Sequence, residues 1–166
     1  MHIEDIFEDL EAQFEAGLQK SQRDSFTGNT RALEIQTFSL MSKELIAPIL
    51  GKEFLAGLDS VAPIWHIYPT KVIRKITLHD ELDESLPRLR NLSVDLETFL
   101  GTLPMPCAIR WRMAGEEDYL TPGTLHSISR NLMFIYVSGS SRPIAVPIAA
   151  LGQLIIESVD NLNGDF

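Results

Sequence analysis

One cysteine and four histidines are the residues of this sequence best suited to do chemistry. Cys107 and His126 could act as a nucleophile and its general base, as in covalent catalysis. Cys107, however, alternates with polar and small residues in step with Ile109, Trp111 and Met113. This spacing puts the cysteine on the inward face of a strand, where it behaves as a small hydrophobic residue. We therefore predict that Cys107 is not catalytic.

The sequence also offers little support for a metal site or a phosphate-binding loop. The histidines are too widely spaced for a metal site, and no cysteine pair assists them (His2, His66, His79 and His126). His79 precedes Asp80 and Glu81, but a solvated linker explains this group better than a metal site does. The segment Leu50-Gly51-Lys52 lacks the rest of a phosphate-binding loop. The sequence thus predicts no enzymatic activity, no metal and no cofactor.

Arginines and aromatic residues in the second half of the chain form the remaining candidate site. Single-stranded RNA is bound by aromatic side chains with cations nearby. The residues of this candidate patch for RNA or a protein partner are Arg110, Arg112, Arg130, Arg142 and Tyr119. Alternation predicts that Arg110 and Arg112 face outward and that Trp111 faces inward. The net charge of −9 disfavours RNA, and the absence of a helix-turn-helix pattern excludes the usual mode of DNA binding.

The elements that must position these residues begin with an acidic segment, residues 1–29. Apolar residues recur in it at steps of three and four, which predicts an amphipathic helix followed by a loop (Ile3, Ile6, Phe7, Leu10 and Phe14). This stripe packs either on the protein's own sheet or on a second subunit, which makes a homodimer an open alternative. The acidic polar face argues against a membrane surface.

Residues 30–80 predict a small, incomplete β unit. The pattern from Thr30 to about Leu45 is weakly helical, and short strands follow at 54–58, 64–68 and 71–78. Too few residues lie between Gly51 and Pro69 for a full set of strands with hairpins. The aromatic cluster Trp65, His66 and Tyr68 is either core or a partner-binding patch.

Residues 81–166 predict a helix followed by a complete small barrel. Ser85 can cap the helix, and Gly101 with Pro104 ends it. Five short strands follow, and Pro122-Gly123 indicates a bend in the second of them. A helix followed by five short, bent strands is the order of Sm-like and SH3-like barrels. The chain is therefore expected to be mainly β, in the α+β class.

Several of these segments resemble a family of small actinobacterial proteins of uncharacterised function, some of them labelled transcriptional regulators. The resemblance rests on the segments 7–16 (FEDLEAQFEA), 30–34 (TRALE) and 145–151 (AVPIAAL), together with the glycine at 123. It implies tandem Sm-like units after an acidic helix. The segment Tyr68-Pro69 to Ile73 replaces the family's "VP" segment in the first unit.

The sequence leads to one main functional hypothesis and one alternative. With a single cysteine and an acidic N-terminus unlike a signal peptide, the chain is expected to be cytoplasmic. The main hypothesis is a non-enzymatic module for protein–protein interaction or assembly, acting through the N-terminal helix or an open sheet edge. The alternative is an Sm-like RNA-binding protein acting in transcriptional or post-transcriptional regulation.

Overall fold

The computed structural model describes residues 30–38, 41–59, 64–80, 89–92, 94–116 and 120–157. The predicted N-terminal helix, with its proposed interface residues Ile3, Ile6, Phe7, Leu10 and Phe14, lies outside the described residues. The same holds for Tyr119 of the candidate patch.

The described residues form eleven strands and one short helix. The first six strands are β1 (Thr30–Thr37), β2 (Ser42–Leu50), β3 (Phe54–Asp59), β4 (Trp65–Pro69), β5 (Ile73–Asp80) and β6 (Arg90–Asn91). After helix α1 (Leu96–Gly101) come β7 (Cys107–Met113), β8 (Thr121–Ser129), β9 (Leu132–Tyr136), β10 (Ile144–Pro147) and β11 (Leu151–Ile156). Single 3-10 turns precede β5 and β11, at Thr70–Val72 and Ile148–Ala150. The mainly β character predicted from the sequence is confirmed.

All eleven strands belong to one open sheet. Its order is β10-β9-β8-β7-β11-β4-β3-β2-β1-β5, and β6 pairs with β2 beside this path. The pairs are antiparallel except for the short parallel contact of β6 with β2. The expected closed barrel is not formed, because β4 and β11 pair with each other across the two halves instead of closing their own halves.

The two halves repeat one strand order. The first five strands lie in the order β5-β1-β2-β3-β4, and the last five lie in the order β11-β7-β8-β9-β10. Each half therefore places its fifth strand beside its first, and a proline (Pro69 or Pro147) followed by a 3-10 turn separates its fourth and fifth strands. The prediction that the first unit is short of strands is wrong, since 30–80 contains five.

The predicted helix from Thr30 to about Leu45 is wrong for a physical reason. These residues form β1 and the start of β2, and β1 is paired on both sides, with β2 and β5. Leu33 and Ile35 are fully buried in this central strand. Hydrogen bonds and burial from distant strands override a weak local preference for helix.

The helix of the second half is shorter than predicted. It starts after Asp95, whose carboxylate accepts a hydrogen bond from the backbone N–H of Thr98 at 2.7 Å. Leu96, Phe99 and Leu100 are buried and the helix ends at Gly101, as expected from the sequence. The preceding residues take another role, because Arg90 and Asn91 pair with β2.

The sheet has a core on each face. The larger core includes Phe99 of α1, whose ring centroid lies 5.0 Å from that of Phe54, and inward residues of both halves. The smaller core belongs to the first half. Strand β4 contributes side chains to both cores, since Trp65 and Ile67 pack in the larger core and Tyr68 packs in the smaller one. Trp65 and Tyr68 are thus core residues.

Candidate functional site

Six polar residues form a chain of contacts across the junction of the two halves. We call them the polar chain: Lys43 of β2, Asp59 of β3, His66 and Tyr68 of β4, Gln153 of β11 and Arg112 of β7. These five strands are consecutive in the sheet. All members except Lys43 are at most 9% exposed, so the sheet places a continuous polar path inside an otherwise apolar structure.

Gln153 is the centre of this path. Its Oε1 accepts hydrogen bonds from Arg112 Nε at 3.0 Å and from Arg112 Nη2. Its Nε2 lies 3.2 Å from His66 Nδ1 and 3.0 Å from Tyr68 Oη. At the other end, Asp59 Oδ2 lies 3.3 Å from His66 Nε2 and 2.6 Å from Lys43 Nζ.

This pattern assigns the protons along the path. A guanidinium can only donate, so the oxygen of Gln153 must face Arg112 and the amide nitrogen must face β4. The two amide hydrogens are then donated to His66 Nδ1 and Tyr68 Oη. His66 therefore carries its proton on Nε2 and donates it to Asp59. Tyr68 Oη accepts from Gln153 and keeps its own O–H as a donor.

Burial shifts the pKa of both ring side chains of the polar chain in β4, His66 and Tyr68. It lowers the pKa of His66 below the ordinary 6.5, assisted by the charge of Lys43 and opposed by the hydrogen bond to Asp59. It also raises the pKa of Tyr68 to about 12, against the opposing influence of the Arg112 charge. His66 is thus held neutral and Tyr68 remains a protonated donor.

The polar chain ends at a cleft of about 300 Å³ between the two halves, which we call the junction cleft. Tyr68, Gln153 and Arg112 line it, and Lys71 of the first 3-10 turn lines it as well. Burial lowers the pKa of Lys71. Its apolar lining includes Phe38, Val72 and Met113.

Backbone contacts fix the walls of the cleft. On the side of the first half, Phe38 N donates to Val72 O at 3.1 Å; on the other side, Ala114 N donates to Ala150 O at 2.8 Å. Gly152 allows this approach, because a Cβ there would lie 2.8 Å from Met113 O. The register shift between Leu151 and Gln153 occurs at this glycine.

The arginines of the candidate patch do not converge. Arg112 is only 8% exposed, so the prediction that it faces outward is wrong; its place in the polar chain compensates for its burial. Arg110 lies 2.5 Å from Glu157 through its Nε. Arg130 occupies the turn between β8 and β9, whereas Arg142 precedes β10, beyond the opposite end of β9. Trp111 is buried, as predicted.

Cys107 and His126 lie on opposite faces of the sheet. Cys107 is paired with Leu125 and is buried, which raises the pKa of its thiol. His126 is exposed, and its ring contacts that of Tyr136 edge-on at 5.4 Å. Among the residues that the structure describes, no three His, Cys, Asp or Glu side chains are grouped so that they could hold a metal ion.

The polar chain was not predicted from the sequence. Its clearest signal is Gln153, the one polar side chain in the apolar strand Leu151–Ile156. An isolated polar residue in a buried strand indicates a partner elsewhere in the fold. The partners themselves lie 41 to 87 residues away, at Arg112, Tyr68 and His66.

No protein-family model matches the sequence, and no curated protein matches it significantly. Within the described part of the chain, no helix has the length and apolarity needed to cross a membrane.

Proposed function

We propose that this protein is a non-enzymatic assembly module that joins copies of itself through the two edges of its sheet. The observation that carries the proposal is the antiparallel pairing of β4 with β11. This contact joins the fourth strand of one half to the fifth strand of the other. The two halves share one strand order, so we further propose that both are Sm-like or SH3-like units.

The same kind of contact is available between copies. Strands β10 and β5 end the sheet, and within the described ranges neither has a partner on its outer side. Strand β10 is the fourth strand of its half and β5 is the fifth of the other. Pairing β10 of one copy with β5 of the next would therefore repeat the internal junction. A head-to-tail contact of this type builds a ring or an open chain of subunits.

On its outer edge, β10 has one backbone N–H group available to donate to another strand. Ile148 N donates to Asn131 O of the preceding hairpin, and residues of a strand point alternately to either side. The backbone N–H groups of Val146 and Ile144 therefore face β9, while the backbone N–H of Ala145 faces outward. Pro147 lacks an N–H, which leaves the Ala145 N–H for a new strand.

The side chains of this edge also favour a contact. Ile144 is 42% exposed, although alternation in the sequence predicts it to be inward. Ala145 is exposed as well. An exposed edge with apolar side chains is a site for pairing with another chain.

Ala145→Pro tests the proposal without removing a hydrogen bond of the sheet. The substitution deletes only the outward N–H, and proline is tolerated on edge strands in that orientation. We expect multi-angle light scattering to show assemblies for the wild type and for the control Ala145→Ser, and a smaller species for Ala145→Pro. A monomeric wild type, or unchanged assemblies in Ala145→Pro, would refute edge pairing.

The helix predicted for the N-terminal segment is the rival route to self-association. Removing residues 1–20 separates the two, since edge pairing predicts that the shortened chain still assembles and remains sensitive to Ala145→Pro. Loss of assembly on removal of residues 1–20 alone would assign the contact to Ile3, Ile6, Phe7, Leu10 and Phe14 instead.

Two further expectations from the sequence stay proposals. Membership of the small actinobacterial family rests on the segments 7–16 and 145–151. RNA binding is the second hypothesis, and the placement of the arginines does not favour it, because Arg112 is buried and Arg130 and Arg142 are separated by β9.

A further inference from the structure

We propose that the junction cleft binds a small organic anion, a carboxylate attached to an apolar group. The cleft lies where the two halves meet, a common position for ligand sites. Its volume of about 300 Å³ is at the lower end of the range found for ligand pockets. This size fits a small molecule and excludes a folded partner.

Among the polar side chains that line the cleft, Tyr68 supplies a hydrogen-bond donor for a ligand. Both ends of the Gln153 amide are used within the polar chain. Tyr68 is 4% exposed and accepts from Gln153, so its own O–H has no acceptor among the described residues. A buried hydroxyl with an unused proton requires an acceptor to avoid the cost of desolvation. A ligand oxygen in the cleft would supply that acceptor.

The charges of the lining favour an anionic acceptor. Among the described lining residues, Lys71 and Arg112 carry positive charges and Glu116 carries a carboxylate. The Glu116 carboxylate accepts from the backbone N–H of Met113 at 3.3 Å. Lys71 forms no ion pair with any described residue and contacts the cleft from its exposed 3-10 turn. A ligand carboxylate between Tyr68 and Lys71 would receive one neutral and one charge-assisted hydrogen bond.

The remaining lining indicates an apolar body on the ligand. Phe38 is 53% exposed, which is unusual for a phenyl ring, and it lies beside Val72 and Met113 in the lining. Its backbone N–H donates to Val72 O, which holds the residue at the edge of the cleft. A free inorganic anion would leave this surface uncovered.

Benzoate is a suitable probe, with benzamide as its neutral counterpart and inorganic phosphate as the anion without an apolar body. We expect titration of the full-length protein, followed by amide NMR shifts at Gly115 and Gly152, to show saturable benzoate binding with a Kd below about 5 mM. Benzamide and phosphate should each bind about ten-fold more weakly or worse, since each lacks one part of the recognition.

Two variants and one control locate the site. Tyr68→Phe removes the donor and Lys71→Met removes the charge, and each should weaken benzoate by about five- to ten-fold. Lys75→Met removes an exposed charge of β5 outside the lining and should leave benzoate binding unchanged. Lys71 is exposed, so its variant stays informative if Tyr68→Phe destabilises the fold.

Several results would overturn the inference. These are the absence of saturable benzoate shifts, equal affinity for benzoate and benzamide, phosphate binding as tight as benzoate binding, or an equal effect of Lys71→Met and Lys75→Met.

Discussion

Replacing Gln153 by methionine should destabilise this protein far more than its small change in shape suggests. Methionine keeps the length and approximate volume of glutamine, so no large cavity is created. The substitution removes the amide that joins Arg112 to the two rings of β4. Its effect therefore measures the hydrogen bonds of the polar chain and not packing.

The magnitude follows from the groups that lose a partner. Two N–H groups of the buried Arg112 lose their acceptor, and His66 Nδ1 loses its donor. A buried group left unsatisfied costs about 1–3 kcal/mol, and more when it is charged. We expect the free energy of unfolding to fall by about 3–5 kcal/mol, after part of the cost is recovered by relaxation. For a chain of this size the melting temperature should fall by about 6–20 °C.

Urea unfolding followed by circular dichroism measures this change, and Gln36→Met is the matched control. Gln36 lies in β1 and is only partly buried, and no side-chain hydrogen bond ties it to the polar chain within the described residues. Its replacement should cost less than about 0.5 kcal/mol.

Similar effects of Gln153→Met and Gln36→Met, or a loss of less than about 1 kcal/mol for Gln153→Met, would contradict this prediction. Either result would mean that Arg112, His66 and Tyr68 do not depend on the Gln153 amide. The proton assignment along β4 would then have to be abandoned, and with it the free O–H of Tyr68.

Two further predictions concern the junction of the two halves. Burial lowers the pKa of His66 below 6.5, so near and below that pH the unfolded chain takes up a proton that the folded protein does not. The free energy of unfolding should therefore fall as the pH falls through this range, by at most about 1.4 kcal/mol per pH unit. His66→Asn should flatten this dependence of the unfolding free energy on pH. Identical pH dependences for the wild type and His66→Asn would contradict the prediction. Leu154 is fully buried in β11 between Ile67 and Trp111, so Leu154→Ala should cost about 2–5 kcal/mol in urea unfolding. Ile144→Ala, at the exposed edge, should cost less than about 0.5 kcal/mol, and equal losses for the two would argue against β11 as a central strand.

The strands of the second half were largely predictable, since their local patterns agree with their surroundings. Cys107–Met113 alternates buried and exposed positions until Arg112, and the strands are separated by turns that contain residues typical of turns, at Arg130-Asn131 and Ser138-Gly139. Positive φ angles at both Arg130 and Asn131 produce the tight hairpin between β8 and β9.

The first half was less predictable because its local pattern is weak. Residues 30–45 carry apolar side chains at spacings compatible with a helix or a strand, and only pairing with β2 and β5 decides between them. The same limit explains Arg112. Alternation predicts arginines outward along β7, but Arg112 is buried and hydrogen-bonded to Gln153, its cross-strand neighbour in β11.

The sequence by itself determined the mainly β character, the buried stripe of α1 and the burial of Cys107. These properties depend on periods of two or about four residues, which neighbouring side chains carry. Tertiary structure alone decided how the two halves join. The β4–β11 pair joins residues 87 to 91 positions apart, and the hydrogen bonds of Gln153 join residues 41 to 87 positions apart. No local pattern encodes contacts over these distances. The candidate functional site of this protein therefore lies at the junction of the two halves, which only the tertiary structure forms.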